Sequence, residues 1–294
     1  MANKRVTKKI LVLYNPRSGG IRKERVWHKL RDFLNAPEFI LDQWDLREND
    51  LHKAPPLPTY DLFIVIGGDG TIRHVVQYLM DSKLSIPIAI IPRGSANLIA
   101  KSLGIPRSVQ RCVDLIRGGR TALIDVAVTS HGHYFIGAFA AGYLSRRVLA
   151  ADEFTKRRFG IASYFLSFLF ELTLRFCEFD FTVDGTPYRM RGHSLFILNT
   201  ENLFGFRSPR QIDFQDGYFE LVVTTNKYFV TLPKVTYDFY IKRKPSKHFF
   251  LVHGKKFTID TKNLYPLQID GDLLPHTDQL TITVVPKKQY IFVP

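Results

Sequence analysis

The sequence predicts an α/β domain built on a parallel sheet, followed by a domain of antiparallel β-strands forming a sandwich or barrel. Up to about residue 120, apolar strand-like runs alternate with helical periodicities in a βαβαβα pattern, which requires crossover helices and a parallel sheet. Three of those strands are followed by glycine- or serine-bearing turns, at 15–20, 67–71 and 92–97. After Arg120 the texture changes to short β-branched or aromatic runs separated by turns, which reads as antiparallel sheet. The expected division is 1–122 for the α/β domain, with about 286–294 returning to it, and 123–285 for the β-rich domain.

The clearest element is Leu62–Met80. Leu62 to Ile66 has the length and branching of a buried parallel strand. Gly67, Gly68, Asp69, Gly70 and Thr71 interrupt it, and Ile72, Val75, Val76 and Leu79 then recur at helical spacing. A strand, glycine turn and helix in this order form the phosphate-holding unit of open α/β sheets, because glycines admit a close ligand and the first helical amides face it. A carboxylate at Asp69 opposes a phosphate unless a metal ion bridges the two or the acid takes a hydroxyl. A plain βα turn with Asp and Thr as caps has the same sequence.

Around this unit, Lys9–Tyr14 is a strand and Asn15-Pro16-Arg17-Ser18-Gly19-Gly20 its turn. Val26, Leu30 and Leu34 place a helix over Arg22–Leu34, and Phe39–Leu46 is the second strand. A Pro-rich loop occupies Ala54–Pro58. Ile86–Ile91 is a strand ending in Pro92-Arg93-Gly94-Ser95-Ala96-Asn97, Leu98–Leu103 is helical, and Arg107–Arg117 is a helix closed by Gly118-Gly119. Parallel strands bring all such turns to one sheet edge, where ligands of open α/β sheets bind. In the second domain, strands are expected at Leu123–Thr129, Tyr134–Ala140, Glu178–Val183, Ser194–Asn199, Tyr218–Thr225, Lys256–Asp260, Leu267–Ile269 and Gln279–Val285, with a hairpin turn at Val183–Pro187. Phe159–Phe179 is apolar nearly all round but interrupted by Glu171 and Arg175. It is too short to span a membrane, so it reads as a buried or an interfacial helix.

Composition agrees with a globular chain: 294 residues are enough for one large or two ordinary domains, and 45% are hydrophobic. Two cysteines, Cys112 and Cys177, make no disulfide framework, and the basic N-terminus lacks the apolar run of a signal peptide. A cytoplasmic protein is expected. The net charge of +14 favours an anionic partner, whether nucleotide, nucleic acid or membrane surface.

Five short motifs in order resemble the diacylglycerol kinase catalytic family, which includes bacterial soluble lipid kinases and sphingosine kinases and is distantly related to NAD kinase. They are Asn-Pro-x-Ser-Gly at 15–19, Gly-Gly-Asp-Gly-Thr at 67–71, Pro-x-Gly-Ser-x-Asn at 92–97, Asp-Gly at 216–217 and Asp-Gly-Asp at 270–272. Neither a Walker A sequence nor Gly-x-Gly-x-x-Gly is present. The resemblance implies a two-domain lipid kinase with an ATP site between the domains. Asn15, Pro16, Arg17, Ser18, Gly19, Gly67, Gly68, Asp69, Gly70 and Thr71 would line the phosphates, and Gly94, Ser95 and Asn97 would sit at the nucleotide. It also implies a Mg²⁺ site on Asp213, Asp216 and Tyr218, partly through backbone oxygens. Asp272 stands where the family has its proposed general base, a Glu, and Asp270 is the other candidate. Arg17, Arg73 and Arg93, within or beside the turns, are further candidates for phosphate contact, against the alternative of simple solvent exposure.

The chain departs from many relatives in having Arg73-His74 where they have Asn-Glu, Ser95-Ala96-Asn97-Leu98 in a form close to the sphingosine kinases, and Asp rather than Glu at 272. His74 is expected on a helix surface. The implied reaction is ATP-dependent phosphorylation of a hydroxyl on diacylglycerol, a sphingoid base or a related lipid, at an anionic membrane surface and with no nucleic acid involved. Two other readings share the motifs: a soluble-substrate kinase of the NAD kinase type, and a catalytically silent lipid- or nucleic-acid-binding module.

Overall fold

A computed structural model describes residues 8–14, 23–46, 51, 59–142, 176–200, 202–203, 206–207, 213–225, 249–264 and 266–294. The turn at 15–20 and residues 159–175 of the apolar stretch lie outside the described residues. The chain divides into two compact units, one of residues up to Ile124 together with Lys288–Pro294, the other Asp125–Lys287.

The first unit alternates as the sequence predicts. Strand β1 (Lys8–Tyr14), helix α1 (Lys23–Phe33), β2 (Phe39–Asp45), β3 (Leu62–Gly67), α2 (Asp69–Asp81), β4 (Ile88–Pro92), α3 (Leu98–Ser102) and α4 (Val109–Gly118) follow in order. The sheet runs β2-β1-β3-β4, and every pairing is parallel. All five residues of β4 are buried, as are Leu62 to Val65 in β3, which is why both read as unbroken apolar runs. Helix α2 buries Ile72, Val75, Val76 and Leu79, the residues at helical spacing. Parallel pairing from Phe63↔Ile88 to Gly67↔Pro92 ends β3 and β4 level with each other, so the turns that follow are neighbours.

The second unit is a sandwich of two antiparallel sheets. One contains β8 (Cys177–Val183), β9 (Thr186–Gly192), β15 (Lys256–Asp260) and the first part of β18 (Gln279–Phe292), in the order β9-β8-β15-β18. The other is six-stranded, β14 (Phe249–Gly254), β13 (Phe219–Thr224), β10 (Ser194–Leu198), β7 (Ala138–Gly142), β16 (Leu267–Ile269) and β17 (Asp272–Leu274). Phe181, Phe257, Ile259 and Ile282 from the first meet Phe139, Leu195, Leu221 and Ile269 from the second in one core. β5 (Thr121–Thr129) pairs with the two-residue β6 (Tyr134–Phe135), and β11 (Asn202–Leu203) with β12 (Phe206–Arg207).

Several expectations change. The run Tyr134–Ala140 is two strands, β6 and β7, separated at Ile136-Gly137. The helix read over Phe159–Phe179 does not reach its last residues, because Cys177 to Phe179 already pair with Gly192 to Met190 as strand. Strand β18 continues past Val285 to Phe292, and its Ile291 joins Ile88 of β4 in parallel within the first unit. Strands β9, β11, β12, β14 and β17 lie outside the runs that the sequence predicts as strands.

Candidate active site

The two glycine turns of the first unit are in backbone contact. A Cβ on Gly94 would stand 2.4 Å from the Gly68 Cα, and one on Gly68 would stand 2.9 Å from the Gly94 Cα. No side chain larger than hydrogen fits at either place. The contact is prolonged from the sheet, since the Arg93 amide donates to the Gly67 carbonyl at 2.8 Å.

Asp69 explains itself within this contact. Its carboxylate accepts the amides of Leu98 and Ile99, both at 3.0 Å, and so caps the start of α3 from the neighbouring turn. Burial pushes its carboxyl above the ordinary range, against the pull of those amides and its own. The carboxylate therefore has a structural reason to stand in a phosphate-type turn, without the bridging metal ion or hydroxyl that the sequence alone suggested. Asn97 is committed in the same way. Its Oδ1 accepts from the Gly94 amide at 2.8 Å, its Nδ2 donates to the Gly94 carbonyl at 2.6 Å, and its own φ is 50°. Its side chain shapes the turn rather than reaching outward. Ser95, by contrast, is exposed. Gly68 begins α2 with no side-chain cap, and the first helical amide, that of Asp69, is met by its own carboxylate.

Of the three arginines, Arg17 lies outside the described residues. Arg73 is buried in α2. Arg93 turns its Nη1 onto the carbonyls of Pro92 and Arg107, both at 2.8 Å, so it belongs to the framework behind its turn. His74 is exposed on α2, as expected.

In the second unit, Asp270-Gly271 is the two-residue turn between β16 and β17, with φ of 46° and 91°, the left-handed pair that such hairpins require. The Asp270 carboxylate accepts three amides, Ile136 at 3.0 Å, Gly137 at 2.9 Å and Ala138 at 2.7 Å. Those amides lie where β6 breaks from β7. Asp270 is thus held by the backbone and holds it. Asp272, half-buried, pairs with Ile269 across the hairpin that Asp270 fixes.

Asp213 and Asp216 lie on one exposed loop, where each spends one oxygen on an amide two residues on, at 2.9 Å to Gln215 and 2.8 Å to Tyr218. Their remaining oxygens are hard donors of the kind Mg²⁺ takes. Among the described residues no group of three or more His, Cys, Asp or Glu is arranged to hold a metal ion, so a cation here would need backbone oxygens and water as well. Tyr218 is exposed with the Lys255 ammonium 4.6 Å from its ring centre.

Sequence reasoning missed Asp125. It is wholly buried, and its two oxygens accept the amides of Gly217 and Lys287, each at 2.7 Å. Its own amide donates to the Phe214 carbonyl at 2.7 Å. Burial raises its pKa, the two amides oppose that, and the charges of Asp216 and Asp213 add to it. A single acid inside the apolar run Leu123–Val128 was the available signal.

Residues 9–129 match the diacylglycerol kinase catalytic domain. A diacylglycerol kinase from Staphylococcus aureus (strain bovine RF122 / ET3-1) is 25% identical over 280 residues, covering 90% of this chain and 85% of that protein. The diacylglycerol kinase of strain MRSA252 gives the same figures, 25% over 280 residues. A crystal structure of a diacylglycerol kinase from Bacillus anthracis superposes with a TM-score of 0.71 at 21% identity, over 98% of this chain and 97% of that one. A second structure from that organism gives a TM-score of 0.76 at 20% identity. At such identities the structural likeness establishes the fold. Among the described residues, no helix is long and apolar enough to cross a membrane.

Proposed function

We propose, on the premise that this chain belongs through residues 9–129 to the diacylglycerol kinase catalytic-domain family and is a lipid kinase, that it transfers the γ-phosphate of ATP to the free hydroxyl of diacylglycerol. The observation that carries the reading is the contact of Gly68 with Gly94, which sets two phosphate-type turns against each other beside the start of α2.

In this reading the backbone from Gly67 to Thr71 and from Gly94 to Ser95 receives the nucleotide phosphates, together with the turn at Asn15–Gly19. Asp69 and Asn97 hold those turns in place through the bonds described above. Asp272 takes the proton of the lipid hydroxyl as the new P–O bond forms, and Asp270 fixes the hairpin on which Asp272 stands. The exposed loop with Asp213, Asp216 and Tyr218 would hold Mg²⁺, which would neutralise phosphate charge. Excess Lys and Arg draw the protein to an anionic bilayer where its substrate resides.

The test is a transfer assay with labelled ATP and Mg²⁺ against a panel of diacylglycerol, sphingosine, monoacylglycerol and NAD, the lipids in mixed micelles. Label in phosphatidic acid is expected. The form of residues 94–97 also occurs in sphingosine kinases, so label in the sphingoid base instead would move the substrate without moving the reaction. Label in NAD alone would overturn the lipid reading.

A further inference from the structure

Helices α1 and α4 flank a groove of about 360 Å³ in the first unit, with Val26, Phe33 and Val109 on its walls and Arg93, Lys29 and Ser108 as its polar groups. The arginine is incompletely satisfied. A guanidinium carries five N–H donors. Nη1 of Arg93 serves the carbonyls of Pro92 and Arg107, whereas among the described residues Nε is buried with no acceptor and Nη2 has no hydrogen-bond partner. No carboxylate pairs with it among the described residues. Nε is closed off from the groove, which leaves Nη2 as the guanidinium donor for an anion oxygen there.

The surroundings favour the same guest. Lys29 is exposed at the groove and adds a second cation. Ser108 begins α4 without a side-chain cap, and the first turn of that helix holds no acid, so its amides and dipole are also unmet. Gln110, also on the lining, is tied to Asp114 at 3.0 Å. Two cations and a helix start suit a dianion better than a monoanion. The apolar walls suit a chain attached to it.

We propose that this groove binds the phosphate monoester head of a lipid, with the start of its acyl chain along Val26, Phe33 and Val109. The choice of a lipid phosphate rests on the lipid kinase reading, since that is the class of molecule such an enzyme releases. The groove is then a product-binding site on the helix layer, made by residues other than those assigned to phosphoryl transfer.

The experiment uses the full chain without nucleotide. A short-chain phosphatidic acid carrying a diazirine, kept below its critical micelle concentration, is photolysed with the protein, and the labelled peptides are mapped. Label is expected in 23–33 and 108–118. K29E and R93Q should each weaken it roughly tenfold, and K29E alters only an exposed side chain, so its result stands even if R93Q fails to fold. A matching phosphatidylcholine probe should leave these peptides unlabelled. Equal labelling by that probe, or unchanged labelling in K29E, would overturn the site. Displacement by inorganic phosphate at a concentration equal to the probe would overturn the lipid part, because the chain would then contribute nothing. A protein that labels as expected but transfers no phosphate keeps the groove and loses the kinase reading. One that transfers phosphate and labels elsewhere keeps the kinase and loses the groove.

Discussion

Asp69, Asp125, Asp184 and Asp270 all turn their carboxylates onto backbone amides of another segment. Asp184, in the β8–β9 turn, accepts the amides of Lys255 at 3.0 Å and Lys256 at 2.8 Å, as Asp270 does for the β6–β7 break. Each such acid replaces water for amides that no strand or helix satisfies. Asp270→Asn presents an amide donor where one of three amides needs an acceptor. It should lower stability by about 1–3 kcal/mol in urea denaturation, and transfer activity should fall with it because the hairpin bearing Asp272 loosens. The glycines divide by cause. Gly271→Ala meets open space and carries only the cost of a positive φ, roughly 1–2 kcal/mol. Gly94→Ala meets the backbone of Gly68, so it should cost more in the same denaturation series and should abolish nucleotide binding measured by calorimetry. The turns themselves were legible, because Gly-Gly-Asp-Gly and Asp-Gly are local signals. What the acids hold was not, since the partners lie 29 residues from Asp69, 92 from Asp125 and 133 from Asp270.

Strands buried on both faces announced themselves, as β3 and β4 show, and so did the helix α2 with its apolar spacing. Strand β9, Thr186–Gly192, did not. It is an edge strand paired only with β8, it alternates polar residues with half-buried ones, and its Pro187 weighs against strand. β18 is expected only as far as Val285, yet the Lys287 amide is held by Asp125 and the strand goes on to Phe292. At the other edge, β2 pairs only with β1, and Tyr60 fastens it by donating to the Asp42 carboxylate at 2.7 Å. Burial, then the Asp42 bond and charge, raise the phenol from 10.0 to about 12. A raised folded value means that the stabilisation is complete below pH 10 and is lost as the pH climbs towards 12. The stability advantage of the wild type over Tyr60→Phe should therefore be constant up to pH 10 and shrink above it, read by urea titration at each pH. An advantage that grows with alkalinity would contradict the assignment.

The chain passes between its two units twice, within β5 and within β18, so neither is an appendage of the other. The order of motifs along the sequence leads to the expectation of a nucleotide unit and a substrate unit. The charge of +14 belongs to the molecule rather than to any single cluster, and it predicts sedimentation with anionic vesicles that weakens as salt rises, with neutral vesicles left unbound. Salt-independent binding to neutral vesicles would point to apolar insertion instead. The central claim is that this chain moves phosphate from ATP to a lipid hydroxyl with Asp272 receiving the proton. Its most direct test is label transfer from ATP into diacylglycerol by the wild type and by Asp272→Asn. Labelled phosphatidic acid is expected from the wild type, with a rate lower by about 10²–10⁴-fold in a variant that still folds. An unlabelled lipid fraction from the wild type, or an undiminished rate in the variant, would contradict it.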